Sequence, residues 1–578
     1  MDVINSYKSY KKYLPEYAQW RDKQDLERER RLEYLNKNPD KMNSEDIERG
    51  KILLRAIDVM DEYSQSNAED MEVATDFAIG QVVGLASMAG TFGGFALGQV
   101  KGVQKFISKF VKDPLKWQLV LNIIPSLVGT TIGTLAAFPA IIWATKAKVS
   151  ASRKGRFEAM NKDLQNPALF AVLTPEQQKK VDERAKDIEL EDREKKRLEQ
   201  RKKFSLNPAE SFRTLKKCYK GDSTYKEQKV AFDKKFQENK ENFNQKLSEE
   251  QIRNAKRDQQ ILAEMVRRLD VASQDYAENT ELATNTVTTL ALGTGGLVGW
   301  LSNKIISGLK IKGGGAVKAI PYVIGAAIPL AIGIYVAKLQ KQASRIGRFK
   351  AKQEMLNNPA ELVYVDSKDT AASNIKYVER KKKPNMFMFL KQLIKDNKEY
   401  TQYLKNEGEL ELKRHKSVEK LKLTDEQIHR AKVLQNNVFK TFNTVDEKSQ
   451  TYSESVEAMG ESIKQGVAFI GSTVATVFSL RNIYKTLDNI ATQESAKKQN
   501  SVIKAVSKTL TPFIWAVLPI IAVDIYTTKA QKKASRVADM LALKELGDYR
   551  HYADYAREQK LPQVQNSTNM LEKFKNVK

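Results

Sequence analysis

The sequence predicts an all-α protein made of three tandem units, because the same motifs recur in the same order along its 578 residues. Self-similarity at a fixed period indicates that one structural unit is repeated. We place the units at 1–204, 205–383 and 384–578, so that each has about 190 residues. Every unit is expected to contain long charged helices and one apolar helical hairpin suited to insertion in a membrane.

The Ala-Ser-Arg motif ends at Arg153, Arg345 and Arg536, so its copies lie 192 and 191 residues apart. In each unit the motif follows a long apolar run. A Lys lies seven residues before each Arg and an aromatic residue ten before it, which gives the pairs Trp143 and Lys146, Tyr335 and Lys338, and Tyr526 and Lys529. An aromatic ring one turn from a Lys is typical of a membrane interface, since the Lys stem extends towards water. We interpret these six residues as interface anchors.

The Ser-Gln motif begins at Ser64, Ser273 and Ser449 and comes shortly before an apolar run. Two Glu residues follow each copy and lie three residues apart, which places them on one helix face: Glu69 and Glu72, Glu278 and Glu281, and Glu454 and Glu457.

An antiparallel hairpin brings its two ends together, so the Ser-Gln and Ala-Ser-Arg motifs should meet at the hairpin base. The sequence therefore predicts a clamp, within a unit or between neighbouring units, in which Arg153, Arg345 or Arg536 pairs with one of these carboxylates. For Arg345 the expected partner is Glu278 or Glu281. An ion-binding or gating role for the same charges is the alternative interpretation.

Helical periodicity runs through the polar parts of each unit. Ser248 with Gln251, and Thr424 with Gln427, fit the capping box at a helix N-terminus. Behind these caps, apolar residues recur at steps of three and four and predict one buried stripe per helix: Ile252, Leu262, Met265 and Leu269 in unit 2, and Leu434, Val438, Phe442 and Val445 in unit 3. No sustained alternation of apolar and polar residues predicts a strand.

Two apolar blocks per unit form the predicted hairpins, at about 77–145, 287–337 and 466–527. A helix needs about 20 apolar residues to cross a bilayer core, and the second block of each pair is about that long. Small residues recur at every fourth position and would let helix backbones approach closely in lipid: Gly90, Gly94 and Gly98, Gly129 and Gly133, and Gly295 and Gly299. Burial of the hairpins inside a soluble helical bundle is the alternative.

One carboxylate, Asp524, lies deep in the last apolar block. An acidic residue inside a membrane is a functional candidate by default. Asp524 is also close enough to the end of its block to reach the interface, and this simpler interpretation remains open.

The amino-acid composition indicates which classes of partner the chain can bind. Its 97 Lys and Arg residues exceed its 71 Asp and Glu residues and leave a net charge of +26, which favours anionic lipid or nucleic acid as a partner. A solvated helical surface is the alternative source of this charge. With one Cys and three His residues, the chain offers no disulfide and little for a metal centre. No catalytic, cofactor-binding or metal-binding motif is predicted.

These observations predict a non-enzymatic membrane protein that acts as a scaffold or conduit, with hairpins that oligomerise or pack together within one chain. An even number of apolar blocks places both termini on one side of the membrane, which we assign to the cytoplasm. An internal virion protein that is ejected and inserted into a bilayer is one version of this hypothesis. A secondary transporter built from three two-helix repeats and a soluble basic scaffold that binds nucleic acid are the alternatives.

Overall fold

The computed structural model describes residues 3–68, 71, 100–107, 109, 132, 138–202, 257–280, 339, 342–365, 368–371, 373–378, 386–445, 533–544 and 546. It also describes the helical stretch 224–231, single positions between 213 and 234, and single positions between 456 and 530. Of the described residues, 86% are helical and none lies in a strand. The prediction of an all-α protein is therefore confirmed.

Unit 1 contains six helices among its described residues. They are α1 (Val3–Lys37), α2 (44–68), α3 (Lys101–Ile107), α4 (Phe138–Asn161), α5 (Pro175–Asp187) and α6 (Asp192–Lys202), with 3-10 turns at Pro39–Lys41 and Pro167–Phe170. A capping box starts α5, because Thr174 accepts from the Gln177 amide while the Gln177 side chain binds the Thr174 N–H.

Units 2 and 3 contribute α7 (257–280), α8 (342–357), α9 (Met386–Tyr403), α10 (Glu409–Glu419), α11 (425–445) and α12 (533–544). A π-helical turn, Leu404–Gly408, joins α9 to α10, and a 3-10 turn, Pro359–Leu362, follows α8. Thr424 Oγ1 accepts from the Gln427 N–H at 3.2 Å, and the Thr424 N–H donates to Gln427 Oε1 at 3.1 Å. This capping box is as predicted, whereas Ser248 and Gln251 lie outside the described residues.

The helices that lead into the Ser-Gln motifs run side by side. Arg49 of α2 pairs with Asp258 of α7, and both residues stand fifteen positions before the Ser of their motif. Near the other end, Arg348 of α8 bridges Asp61 of α2 at 3.3 Å and Asp270 of α7 at 3.6 Å, again at matched positions. Matched contacts at both ends mean that α2 and α7 are parallel and in register.

The third such helix, α11, joins α2 in the same manner. Arg430 lies 3.6 Å from Glu45, and both residues stand nineteen positions before the Ser of their motif. The three helices supply matched apolar positions to one contiguous core: Leu53, Leu262 and Val438; Ile57, Val266 and Phe442; and Met60, Leu269 and Val445.

Each of these nine side chains is at most 4% exposed, and Met265 and Leu434 of the predicted stripes are buried as well, whereas Ile252 lies outside the described residues. Their steps of four and three residues are those of a helical-bundle seam. Full burial of a side chain of this size contributes about 1.5–3 kcal/mol, so this core is the main source of stability for the described part of the chain.

Small residues bring the Ala-Ser-Arg helices against the bundle. Ala151, Ala343 and Ala534 are all 0% exposed. Two residues after the Arg of the motif, a Cβ on Gly155 would collide with the carbonyl oxygen of Tyr63, and one on Gly347 with that of Ala272. Only glycine permits so close an approach of one helix to the backbone of another.

Most of the predicted apolar blocks lie outside the described residues. In the part of the chain that the structure describes, no helix has the length and apolar character needed to cross a membrane.

Candidate functional site

The two motifs meet inside unit 1 and inside unit 2. The hydroxyls of Ser64 and Ser152 are hydrogen-bonded, with 2.6 Å between their Oγ atoms. Those of Ser273 and Ser344 are also hydrogen-bonded. In units 1 and 2, the central Ser of Ala-Ser-Arg therefore binds the Ser of the Ser-Gln motif of its own unit.

The Gln of each motif reaches the next unit. Gln65 Nε2 donates to Ser344 Oγ at 2.8 Å, and Gln274 Nε2 donates to Ser535 Oγ at 3.1 Å. Ser344 thus binds Ser273 of its own unit and Gln65 of the preceding one. Side-chain hydrogen bonds from adjacent Ser and Gln residues consequently join the three predicted units.

The junction between units 2 and 3 contains one predicted clamp contact. Arg536 lies 2.7 Å from Asp275 and 3.7 Å from Glu278, and its Nε donates to Gln274 Oε1 at 3.0 Å. Burial works to lower the pKa of Arg536, but the charge of Asp275, supported by that of Glu278, raises it overall. The Arg therefore stays charged at this junction, and it binds the carboxylates of the preceding unit.

The junction between units 1 and 2 carries more charge. Asp61 of α2 accepts Arg348 of unit 2 at 3.3 Å and Arg156 of unit 1 at 3.7 Å. Lys352 lies 3.0 Å from Asp58 and 3.2 Å from Glu411. Asp61 thus ties units 1 and 2 together, and the buried Lys352 of unit 2 joins Asp58 of unit 1 to Glu411 of unit 3.

A small cavity of about 30 Å³ lies within this ionic junction, and Glu62, Arg201 and Arg345 are among its lining residues. That volume holds about one or two water molecules. Burial raises the pKa of Glu62, while Arg201, at 2.9 Å, acts in the opposite direction. Burial lowers the pKa of Arg201, but the attraction of Glu62, Tyr400, Asp58 and Glu411 together outweighs burial and raises this pKa overall.

Unit 3 packs back against unit 1. Gln435 Nε2 of α11 donates to the carbonyl oxygens of Leu164 and Gln165, at 2.6 and 2.9 Å. The rings of Phe439 and Phe170 lie edge to face with centroids 6.1 Å apart. Unit 1 therefore contacts unit 2, unit 2 contacts unit 3, and unit 3 contacts unit 1.

The described interface anchors are exposed to solvent. Trp143 is 49% exposed and Tyr526 is 57% exposed, and Lys146 and Lys529 beside them are exposed as well. Both aromatic side chains occupy the same position before their Ala-Ser-Arg motif.

The remaining predicted residues divide into two groups. Arg153 is half-buried and Arg345 is buried. The following lie outside the described residues: Tyr335, Lys338, Glu69, Glu72, Glu281, Glu454, Glu457, Asp524, Gly90, Gly94, Gly98, Gly129, Gly133, Gly295 and Gly299. Because Glu281 is among them, the pairing expected for Arg345 stays a prediction.

Sequence reasoning missed the residues that set the register of the junctions. Asp61 and Asp270 stand three residues before the Ser of their motifs, and Gly155 and Gly347 stand two residues after the Arg. Each of these residue types recurs at a fixed distance from its motif, and this recurrence could have identified them in the sequence. Within the residues that the structure describes, no group of three or more His, Cys, Asp or Glu side chains could hold a metal ion.

No family model, no curated protein and no solved structure matches this chain. Its function is therefore inferred from its own residues and contacts. At the junctions, hydroxyl, amide and charged side chains of one predicted unit bind side chains of the next unit. These contacts hold the helices in a fixed register.

Proposed function

We propose that this chain is a non-enzymatic scaffold of three tandem repeats whose apolar hairpins insert together into a membrane. The hydrogen bonds from Gln65 to Ser344 and from Gln274 to Ser535 are the observation that carries this proposal. The same atoms of the same motifs join successive units, as expected if one unit is repeated and each copy docks on the next.

The position of the motifs supports insertion of all hairpins from one base. Each Ser-Gln motif comes just before an apolar block, and each Ala-Ser-Arg motif follows the partner block. The motifs contact each other at the junctions, and α2 runs parallel to α7. Blocks that continue from helices with a common direction leave the base on the same side.

The central core favours a scaffold over an axial conduit. Leu53, Leu262 and Val438 begin three matched apolar levels inside one contiguous core, and all nine residues of these levels are at most 4% exposed. A water-filled path between these helices would need polar or missing side chains at those levels.

The exposed anchors support contact with a bilayer surface. An exposed aromatic ring and an exposed ammonium group lie at matched positions in units 1 and 3. In α4 they belong to Trp143 and Lys146, and before α12 they belong to Tyr526 and Lys529. The basic polar helices would then contact anionic lipid or nucleic acid on the side we assign to the cytoplasm. Storage inside a virion before insertion is compatible with the same arrangement.

Extraction and labelling test the proposal. Membranes from cells that express the full chain are washed with alkaline carbonate, and the protein should stay in the pellet until detergent is added. Cys218 is the only cysteine, so a Cys218→Ser background accepts single reporters. Gly94→Cys should resist a membrane-impermeant maleimide, whereas the control Gln178→Cys, on an exposed position of α5, should react. If the protein is recovered in the carbonate supernatant and both Cys variants are labelled equally, the hairpins are not inserted and the protein is a soluble scaffold.

A further inference from the structure

The opening helix of each predicted unit packs on the Ala-Ser-Arg helix of another unit. In unit 2, the ring of Tyr225 meets that of Phe157 edge to face, with centroids 5.5 Å apart. In unit 3, the ring centroid of Tyr403 of α9 lies 4.9 Å from that of Phe349. These Tyr residues stand 48 and 46 positions before the Ser of their own unit, and each Phe stands four positions after the Arg of the preceding unit. One kind of aromatic contact therefore covers the Ala-Ser-Arg helices of units 1 and 2.

The opening helix of unit 1, α1, covers the Ala-Ser-Arg helix of unit 3 in the same way. Tyr17 stands 47 positions before the Ser of its unit and lies in one buried cluster with Ala534, Val537 and Met540. Met540 stands four positions after Arg536, where the other two units have Phe. The first helix of the chain thus takes the place on unit 3 that units 2 and 3 take on the units before them.

The α1 contact lacks the aromatic pair of the other two. No aromatic residue occurs in α12, and the ring of Tyr17 has its centroid 6.1 Å from that of Trp20 in its own helix. Aromatic pairs stabilise a contact beyond the area that they bury, whereas a flexible Met adapts to many neighbours. The apolar side chains of α1 therefore hold it less firmly than those of α9 hold α9.

The packing beneath α1 is also looser. A cavity of about 270 Å³ lies between α1, α7 and the C-terminal end of α12, whereas the cavity beside Tyr400 and Tyr403 of α9 measures about 30 Å³. The larger volume admits several water molecules. A helix that lies over such a volume makes fewer dispersion contacts than a close-packed one.

Charged side chains supply much of the remaining attachment. Ion pairs join α1 to neighbouring elements: Asp25 with Arg267, Arg31 with Glu264, Arg28 with Glu361, and Glu16 with Lys544. When α1 leaves, both members of each pair regain water, which offsets the attraction that is lost. Such pairs therefore hold α1 less strongly than well-packed apolar side chains of similar size would.

We propose that α1 is a detachable strap, whose release uncovers the Ala-Ser-Arg helix of unit 3 while those of units 1 and 2 stay covered. After release, α12 keeps the contacts of Ser535 with Gln274 and of Arg536 with Asp275. Because α12 follows the third apolar block, the strap acts on one of the three units alone. The inference rests on the repeat contacts and does not depend on membrane insertion.

Thiol labelling at matched positions tests the release. Ala534 and Ala343 are both 0% exposed and occupy the same position of the Ala-Ser-Arg motif. The Cys218→Ser background of the detergent-solubilised full chain carries one reporter at a time. Ala534→Cys should react with a maleimide at least about tenfold faster than Ala343→Cys, because release of α1 alone uncovers it. Equal rates at the two positions would overturn the proposal.

Two variants at the strap contact should change this labelling in opposite directions. Met540→Phe supplies the ring that units 1 and 2 carry, so it should slow labelling of Ala534→Cys by about two- to tenfold. Lys544→Ala removes the ion pair with Glu16 and should speed labelling by up to about fivefold. Neither variant should alter the rate at Ala343→Cys.

Circular dichroism shows whether each variant is folded. Lys544→Ala changes an exposed position, so it keeps the test valid if Met540→Phe does not fold. Labelling that neither variant changes, or that both change in one direction, would overturn the proposal.

Hydrogen exchange, followed by mass spectrometry, identifies the element that moves. Amides of α1 should exchange at least about tenfold faster than those of α9, and those of α12 should remain more protected than those of α1. Equal protection of α1 and α9 would contradict a strap. Exchange of α12 as fast as that of α1 would assign the labelling to unfolding of α12 and would also overturn the proposal.

Discussion

The junction between units 1 and 2 and the junction between units 2 and 3 share one hydrogen bond but differ in their charges. In both, a Gln amide donates to the Ser of the following Ala-Ser-Arg motif. Around Gln65 lie Asp58, Asp61, Glu62, Arg348 and Lys352. At the corresponding positions after the third motif, Asp539 stands in place of Arg348 and Leu543 in place of Lys352.

The difference indicates that two kinds of contact have two roles. The Gln-to-Ser hydrogen bond, which both junctions share, fixes the distance and register of the helices. The charges differ between junctions, and like charges brought together across a wrong pairing would cost free energy. Lys352 and Arg348 therefore give the junction between units 1 and 2 ionic contacts that Leu543 and Asp539 cannot reproduce in unit 3.

Loss of the buried Lys should have the largest effect. Lys352→Met leaves Asp58 and Glu411 without their shared cation in a partly buried site, and we expect a loss of about 3 kcal/mol in the free energy of unfolding. Urea denaturation in detergent measures it. The control Lys37→Met, which removes an exposed pair with Glu33 on α1, should cost less than about 1 kcal/mol. Equal effects of the two variants would mean that the ionic junction has no special role.

The next effect concerns the close helix contact that units 1 and 2 each contain. Gly155→Ala and Gly347→Ala each force a Cβ against a backbone carbonyl, so each should destabilise the protein by about 2 kcal/mol. Gly102→Ala, where a Cβ meets nothing within 4 Å, is the control and should be neutral or stabilising by up to about 1 kcal/mol. Thermal unfolding of the three variants compares them. A large effect at only one of the two sites would show that the units do not share a common register.

Smaller effects are expected at the shared hydrogen bond. Gln65→Leu removes one donor to a Ser hydroxyl and should cost about 1 kcal/mol. Gln274→Leu also removes the acceptor of Arg536 Nε and should cost about 2 kcal/mol. Gln178→Leu on the exposed face of α5 serves as the control. A measurable loss at both junctions would support equivalent roles of the Ser contact, and a loss confined to Gln65 would make the ionic junction the only one that needs the bond.

The smallest effect expected near neutral pH is a change in the free energy of unfolding with pH. Burial tends to raise the pKa of Glu411, but Lys352 and the Tyr403 hydroxyl outweigh it and lower the pKa to about 2. A carboxylate with a depressed pKa stabilises the folded state above its unfolded value and loses that contribution as the pH falls. Stability should therefore decline from about pH 5 towards pH 2, with only the start of the loss seen near pH 5.

The variant Glu411→Gln isolates this carboxylate. It should flatten the decline in the unfolding free energy between about pH 5 and pH 3, as measured by urea midpoints at each pH. Glu62 has a raised pKa through burial, so its ionisation disfavours the folded state and its contribution has the opposite sign. An unchanged acid profile in Glu411→Gln would assign the decline to other carboxylates.

Local spacing made part of this structure predictable. The stripe through Leu434, Val438 and Phe442 and the cap at Thr424 depend only on residues within one helix, and both occur as expected. Which Gln meets which Ser depends on how two helices cross, and that crossing is set by glycines such as Gly347 whose role appears only in contact. The partner of Arg536 lies in another unit for the same reason, since the spacing along the chain does not specify which neighbour is nearer in space.

The return of α11 to unit 1 through Gln435 and Phe439 has a consequence for chain connectivity. In an open row of repeats, the end members differ from the middle one because each lacks a neighbour. In a closed set, every member has two neighbours, so the contacts alone do not distinguish a first member from a last one. A circular permutant that begins at unit 2 and ends with unit 1 would thus bury the same core.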